Sequence, residues 1–555
     1  RGFLADELSV GFGGTLGALS IAVGDYTSQP EHLAEASLRG HFPAARLVQS
    51  NARSRWLTPW LGGESDWTLQ LTVPEPDGAV RAAPQLRVRS DLAGVSIHLP
   101  APLRKDAADR MPLDLDLTLQ EPDVGIDLRL GGLLRLHGRS GVDGFSGTAL
   151  FGDVVDAAPP PRGLHVAGQI PVLDAAAWGG VAAGLGDGEA ALHLASADLF
   201  IGELNLFGRP FRETRVTMQR DAERFTFGFA GDALAGELSV PLDGLAQKGI
   251  TARLDRLHWP ETDAADAGQD AATTQVLSAP GLIPPIHLES ADTRFSGAHL
   301  GNVWLETWPT ATGLHVERFD AHSAALDLKA KGDWQVVEGR ESTALALDFS
   351  SRDAGAMLEA LGFSRLIESS GTHGRLMLAW PGAPGAFDWA VADGRLDVSV
   401  GQGRVLEVEP GAGRLFGLLS LTEIPRRLSL DFSDFLKSGF AFNQMAGGFR
   451  IERGDAFTDD FRINAPSAEI RLRGRTGLKA RDYDQTLEVL PKAGSVLPAI
   501  GAIAAGPAGA AVGAVAQAVL RQPLKDMTRT VYRVTGAWDA PTIEAEAAAP
   551  RDPSP

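Results

Sequence analysis

The 555-residue chain contains no cysteine. This absence excludes disulfide bridges, thiolate zinc sites and cysteine nucleophiles, and it is compatible with an oxidising or a reducing compartment. The chain begins at Arg1, and its opening stretch RGFLADELSVGFGG has neither the basic start nor the apolar core of a signal peptide. We expect the sequence to be a piece of a longer protein whose targeting segment is missing.

Positive charge is also scarce. The chain has 51 Lys and Arg against 70 Asp and Glu, which gives a formal net charge of -19 and a pI near 5.1. Nucleic acids are bound by clustered basic side chains, and an acidic surface repels a polyanion. A nucleic-acid partner is therefore excluded.

Motifs of catalysis and cofactor binding are missing as well. The sequence has no Gly-Lys dipeptide and no His-Glu-x-x-His, and its Gly-rich stretches GFGGTLG and GAGRLFG lack the third Gly of the dinucleotide fingerprint. Ser146 and Ser420 lack the Gly-x-Ser-x-Gly elbow, and the twelve histidines are scattered singly. Asp114 and Asp116 occupy the polar side of a regular alternation. We therefore expect no catalytic residue, no metal and no cofactor, and we predict that the protein is not an enzyme.

Alternation with period two is abundant, and it is typical of strands with one wet and one dry face. In PLDLDLTLQ, four leucines from Leu113 to Leu119 alternate with polar residues. The pattern returns in VGIDLRL, FTFGF, ALDLKAKG, ALALDFS, RLDVSV, EIRLRG and TLEVL. Such strands, separated by Gly-containing turns, predict antiparallel meanders and a mainly β fold class.

Short helices interrupt the predicted strands. Asp174 and Asp353 are candidate N-caps of Ala-rich helices that end at Leu-Gly, and a looser copy surrounds Trp56 and Trp60. These segments predict short helices near 47–62 and 173–186 and indicate a degenerate strand-helix-strand repeat.

Composition divides the chain further, because polar and Pro-rich stretches mark loops and boundaries. The predicted organisation is a first β part at 1–260, a loop or boundary at 261–285, a second β part at 286–490, an apolar Ala/Gly-rich helical segment at 491–525, a terminal strand at 526–546 and a disordered tail at 547–555.

The segment from Ala493 to Leu520 has no charged side chain. As a straight helix it would measure about 42 Å, which is enough for a bilayer core of about 30 Å. Pro498 and Pro507 would break or kink that helix, and most positions are Ala or Gly. A buried or hairpin helix pair, a conditional membrane contact and a permanent span all stay open. The candidates for membrane contact are one helical face and the basic flank after it: Val512, Val515, Val519, Arg521 and Lys525.

The dry face of the predicted sheet also allows two arrangements. It packs against a second sheet or helices in a closed core, or it curves into an open trough that meets acyl chains. The sequence has few amphipathic helices to cover so much apolar face. This scarcity favours the trough without deciding the matter.

The C-terminal residues resemble a known family. The stretch VEPGAGRLFGLLSLTEIPRRLSLDFSDFLKSGFAFNQMAGGFRIERGDAFTDDFRINAPSAEIRLRGRTGL, then DYDQTLEVLP, the Ala/Gly segment and YRVTGAWDAPTIE, is similar to the C-terminal region of the YhdP family. Its members are AsmA-like envelope proteins related in architecture to TamB. The resemblance is most specific from about Gly394 to Glu544, and upstream only the β-rich texture and the unit RDAGAMLEALGF agree.

The resemblance implies a long, curved antiparallel sheet that forms an extended hydrophobic groove in the periplasm of a Gram-negative bacterium. It implies bridge-like transport of phospholipids, with an N-terminal anchor in the inner membrane and a C-terminal end near the outer membrane. The Ala/Gly segment would then be a helical element at the outer membrane, preceded by a short helix from Arg414 to Leu421. The alternative is a scaffolding envelope protein with a closed β core and no lipid cargo.

Dry-face residues would line such a groove. The candidates are Leu326, Leu328, Leu345, Leu347, Phe349, Leu396, Val398, Val400, Ile470 and Leu472.

Overall fold

A computed structural model describes residues 2–12, 14–49, 54–75, 82–142, 144–152, 159–185, 193–260, 280–295, 297–365, 367–406, 440–466, 468–492, 530–538 and 540–546. The chain divides into two compact units. The first unit holds Arg1–Leu245 and Ile250–Ser278, and the second holds Ala246–Gly249 and Ala279–Pro555.

The first unit is built from strands, with short helices between some of them. Its strands are β1 (Phe3–Phe12), β2 (Thr15–Val23), β3 (His32–Pro43), β4 (Leu61–Pro74), β5 (Gln85–Ser90), β6 (Val95–Ile97), β7 (Leu113–Leu119), β8 (Val124–Leu130), β9 (Leu134–Gly141), β10 (Gly144–Phe151), β11 (Gly163–Asp174), β12 (Leu194–Leu206), β13 (Arg209–Arg220), β14 (Arg224–Ala230), β15 (Leu234–Pro241) and β16 (Ile250–Trp259). Its helices are α1 (Ala44–Gln49), α2 (Ala175–Leu185) and the 3₁₀ turns Gly24–Tyr26 and Arg55–Trp60, and α3 (Leu245–Lys248) precedes β16.

Most neighbouring strands of the first unit pair antiparallel in chain order, with β6 on one end of β4 and β7 beside β5. The exceptions are the parallel pairs β10–β11 and β11–β12. A parallel pair needs a crossover connection, and α2 lies in the one between β11 and β12. The sheet is therefore mixed. Period-two alternation predicts only antiparallel meanders, so the parallel pairs correct that prediction.

The second unit also consists mainly of strands, with a few short helices. Its strands are β17 (Ile286–Phe295), β18 (Ala298–Pro309), β19 (Gly313–His322), β20 (Asp327–Val337), β21 (Arg340–Ser351), β22 (Ile367–Ser369), β23 (Thr372–Pro381), β24 (Asp393–Val400), β25 (Gly403–Val405), β26 (Phe440–Phe442), β27 (Gln444–Glu452), β28 (Asp455–Asn464), β29 (Ala468–Gly477), β30 (Asp482–Pro491), β31 (Thr530–Ala537) and β32 (Ala540–Glu546). It also has α4 (Ala354–Ala360) and the 3₁₀ turns Pro280–Leu282 and Pro384–Ala386.

The large sheet of the second unit is antiparallel throughout its described pairs. It runs β17, β18, β19, β20, β21, β23, β24, β27, β28, β29, β30, β31, β32. The strands β22, β25 and β26 leave this order and form a separate three-stranded sheet. Among the described residues of either unit, the first strand does not pair with the last.

The mainly β fold class is confirmed, and so are the helix N-caps at Asp174 and Asp353. The Asp174 carboxylate accepts a hydrogen bond of 2.9 Å from the backbone N–H of Ala177. The Asp353 carboxylate accepts one of 2.9 Å from the N–H of Gly355. These bonds satisfy donors that a helix start leaves without an intrahelical partner.

Several predicted features lie outside the described residues. They are most of the break at 261–285, the short helix at 414–421, nearly all of the segment at 491–525 with its candidates Val512, Val515, Val519, Arg521 and Lys525, and the tail at 547–555. The division of the chain by composition stays a prediction. In the part of the chain that the structure describes, no helix combines the length and the apolar character that crossing a bilayer requires.

Candidate functional site

The dry face of the second unit carries a continuous apolar surface. Leu347 on β21 is the register partner of Leu376 on β23, which pairs with Leu396 on β24, which pairs with Phe449 on β27. Two residues further along the strands, on the same face, Leu345 pairs with Leu378. Directly opposed side chains in a sheet lie about 5 Å apart. We call this surface the floor, and its members are Leu345, Leu347, Leu376, Leu378, Leu396 and Phe449.

The side chains of the floor are all half-buried. In a closed sandwich, inward side chains interdigitate with a second layer and are shielded from water. Among the described elements, β21, β23 and β24 make their extensive contacts only with their neighbours in the sheet. The floor is therefore apolar and still accessible.

The opposite face of the same strands carries charge. Asp348 accepts a hydrogen bond of 2.6 Å from Arg375 Nε, and Asp397 accepts one of 2.9 Å from Arg395 Nε. The guanidinium of Arg375 holds the pKa of Asp348 below its usual value, and that of Arg395 does the same for Asp397. Exposed pairs of this kind add little stability. Their effect is to fix which face of the sheet meets water.

One border of the floor is closed by α4. Met357 on α4 is buried in a cluster with Leu300, Val303, Ala321 and Leu326, and Leu328 and Phe349 pack against that cluster. The small sheet continues this border through a second cluster of Ala354, Ile367, Val400, Val405, Phe442, Met445 and Ile463. The Arg365 guanidinium fastens the start of α4 by pairing with Asp353 at 2.5 Å and with Glu359 at 3.2 Å. At this end of the strands, the apolar face is covered and forms a closed hydrophobic core.

The other border holds a row of aromatic rings at the end of β23. Trp380 shares the face of Leu376 and Leu378, is buried, and donates a hydrogen bond of 3.0 Å from Nε1 to the carbonyl of Ala383. The Phe387 ring meets Trp380 edge-on with centroids 5.2 Å apart, and Trp389 meets Phe387 in the same way at 4.8 Å. Phe387 and Trp389 are each 38% exposed. The floor thus lies between a helical border and an aromatic one.

The ten residues predicted to line the dry face fall into two groups. Seven are half-buried: Leu328, Leu345, Leu347, Phe349, Leu396, Val398 and Ile470. Leu326, Val400 and Leu472 are buried, with 3%, 8% and 7% of their surface exposed. Leu326 and Val400 belong to the two border clusters, whereas Leu472 packs with Tyr483, Leu487, Val534 and Trp538 toward the C-terminal strands.

Sequence reasoning missed part of the floor. Leu376, Leu378 and Trp380 alternate along β23, and Phe449 completes the row on β27. The first three have a local signal, since GRLMLAWP shows the same period-two alternation as ALALDFS and RLDVSV. No local signal marks Phe449 as a partner of Leu396, because about fifty residues separate them and only register brings them together.

Polar chemistry is sparse around the floor. Within the described residues, no group of three or more His, Asp or Glu side chains is placed to hold a metal ion. The floor therefore offers an apolar surface that solvent can reach, and the opposite face of the same strands carries charged side chains.

The sequence is similar to a known protein family. Residues 7–543 match the family model described as YhdP protein. The chain is 25% identical over 516 residues to the intermembrane phospholipid transporter YhdP of Escherichia coli (strain K12), and the alignment covers 88% of this chain and 39% of that relative. The chain therefore spans about two fifths of the length of the curated relative it matches. No solved structure matches the chain.

Proposed function

Because the chain belongs to the YhdP family, we propose that it forms part of a bridge that carries phospholipids between the inner and outer membranes of a Gram-negative envelope. The observation that supports this function best is the half-buried floor of the second unit, an apolar surface that the described elements border on two sides and leave accessible.

The physical basis is transfer of acyl chains from one apolar surface to the next. Each CH₂ group removed from water contributes about 0.8 kcal/mol, so a lipid tail is held wherever it finds continuous apolar contact. The floor supplies such contact through side chains of similar size and similar burial. A tail that moves along it exchanges one set of contacts for an equivalent set, and the headgroup stays in water. No catalytic residue and no cofactor is needed for that movement.

The ends of the bridge belong to the same proposal. We assign this chain to the periplasm and propose an inner-membrane anchor elsewhere in the full-length protein. At the other end, Val512, Val515 and Val519, followed by Arg521 and Lys525, would contact the outer membrane. Support for this assignment comes from the family match and from the basic flank, which suits anionic headgroups. A scaffold with a closed core and no cargo is the alternative, and the accessible floor does not favour it.

Site-specific photocrosslinking tests the transport function. A photoreactive phenylalanine replaces Leu347 in the full-length protein, and the matched control carries it at the neighbouring Ala346, which is exposed on the charged face. Cells are irradiated, the protein is purified under denaturing conditions, and bound phospholipid is identified by mass spectrometry. We expect a phospholipid adduct at position 347 and none at 346. A folded protein without an adduct at 347 would overturn the proposal.

A further inference from the structure

Glycines on the dry face of the second unit lie beneath large side chains of the next strand. Gly374 is the register partner of Phe349, and a Cβ added to Gly374 would lie 2.8 Å from the Phe349 ring at Cε1. Gly332 faces Leu345 in the same way, with 2.6 Å to Cδ2. Gly394 faces Leu378, with 2.8 Å to Cδ2. In each pair, the large side chain shares the space that a Cβ would need with a backbone carbonyl of the neighbouring strand, that of Asp397 at Gly374, of Ala344 at Gly332 and of Met377 at Gly394.

The first unit repeats the arrangement with glycines on facing strands. Gly17 and Gly40 are register partners, and the Phe42 ring covers both, with 2.7 Å from its Cζ to a Cβ built on Gly17. Gly138 and Gly147 are partners as well. The Phe145 ring covers these two, with 3.1 Å and 2.6 Å from its Cζ to the added Cβ atoms.

Backbone conformation does not explain the glycines of the second unit. Gly332, Gly374 and Gly394 have none of the positive φ angles that favour glycine over other residues. Glycine also weakens a strand interior, so its presence here costs stability. These positions provide room for the close approach of a neighbouring backbone carbonyl and for the large side chain that lies over the glycine.

We infer that Gly332, Gly374 and Gly394 are positioning residues of the lipid track. They let Leu345 and Leu378 of the floor, and Phe349 at its helical border, lie flat across the sheet, so that the floor stays low and level and no side chain stands in the path of an acyl chain. This inference rests on the proposed transport function. Aromatic coverage of glycine also stabilises sheets by itself. A test must therefore distinguish an effect on the position of the side chains from an effect on the stability of the sheet.

The test adds one methyl group beneath the floor. Gly374→Ala displaces the Phe349 ring and also crowds the backbone carbonyl of Asp397, which lies 2.8 Å from the added Cβ, whereas the control Gly448→Ala adds the same group on the charged face, 3.0 Å from the end of the Asp397 side chain. Both variants carry the photoreactive residue at Leu347. We expect phospholipid capture to fall at least about fivefold in Gly374→Ala, which corresponds to about 1 kcal/mol, and to stay unchanged in Gly448→Ala.

A swap variant decides between position and stability. Phe349→Gly combined with Gly374→Phe keeps the composition and still crowds the Asp397 carbonyl through the Cβ at position 374, but it lets the new ring lie over the new glycine. Because only the position of the ring is relieved, capture should return toward the wild-type level. If wild-type capture is normal and Gly374→Ala leaves it unchanged, the inference is wrong and the transport function stands. A loss of capture that follows a lowered melting midpoint and is not restored by the swap also overturns it. Absence of capture in the wild type refutes the transport function itself.

Discussion

Replacing Leu347 with Arg puts a charge in the middle of the floor. Leu347 is half-buried and lies between Ala330 and Leu376 in the sheet register. Leu326, in the same unit, is only 3% exposed and packs in the cluster around Met357. The same substitution at these two leucines therefore compares an accessible apolar face with a closed core.

The expected cost differs severalfold between the two positions. Full burial of a Leu side chain contributes about 1.5–3 kcal/mol, so a half-buried Leu347 forfeits about 1 kcal/mol when it is replaced. The Arg stem covers part of the apolar surface while its guanidinium reaches water. At Leu326 the charge has neither water nor a partner, and an uncompensated buried charge costs about 3–5 kcal/mol.

Denaturant unfolding of the two variants, followed by circular dichroism, measures these costs. Lipid capture is read in parallel from a photoreactive residue at Leu376, the register partner of Leu347. We expect Leu347→Arg to remain folded and to lose capture, and Leu326→Arg to unfold at much lower denaturant. Equal destabilisation of both variants would refute the reasoning, because the floor would then be a closed core.

Three further predictions concern the supports of the two units. Asp353→Ala removes the N-cap of α4 and should cost about 0.5–2 kcal/mol, seen as faster hydrogen exchange in α4 with the floor strands unchanged. Hydrogen bonding to Asp333 raises the pKa of His315. The stability that this pair contributes is therefore complete below the unfolded pKa of about 6.5 and disappears as the pH rises through the folded pKa. The unfolding midpoint should fall over that pH window in the wild type and not in His315→Gln. Buried Lys105 donates hydrogen bonds from Nζ to three backbone carbonyls. Lys105→Met should therefore lower the free energy of unfolding by about 1–3 kcal/mol, measured by chemical denaturation, and a loss near zero would show that the carbonyls need no donor.

The strands of this protein could be predicted because their signal is local. Period two in PLDLDLTLQ and ALALDFS depends only on which side of one strand is wet, and β7 and β21 lie where it indicates. The caps Asp174 and Asp353 are equally local, since a carboxylate and an N–H within three residues form the bond.

The borders of the floor could not be predicted because they depend on packing between distant segments. Leu326 and Leu328 have the same place in the alternation, yet only Leu326 is fully buried, since Met357 reaches it from a helix about thirty residues later. The parallel pairs around β11 depend in the same way on where a crossover returns to the sheet. Alternation separates a wet face from a dry one, and what covers the dry face is decided elsewhere in the chain.

The second unit separates the residues of its buried clusters from the residues of the accessible floor. Around the floor, buried side chains lie at the two borders, near Met357 on one side and at Trp380 on the other, while the leucines between them stay half-buried. A further buried cluster, which includes Tyr483 and Val534, lies in the C-terminal strands. Backbone pairing across long antiparallel strands holds the middle of the sheet, over which the described elements place no second layer, because each strand has its hydrogen-bonding partners on both sides. An apolar surface can therefore remain accessible without being the weakest part of the fold. A groove for acyl chains requires this combination, since a floor that had to be covered for stability would have no room for lipid.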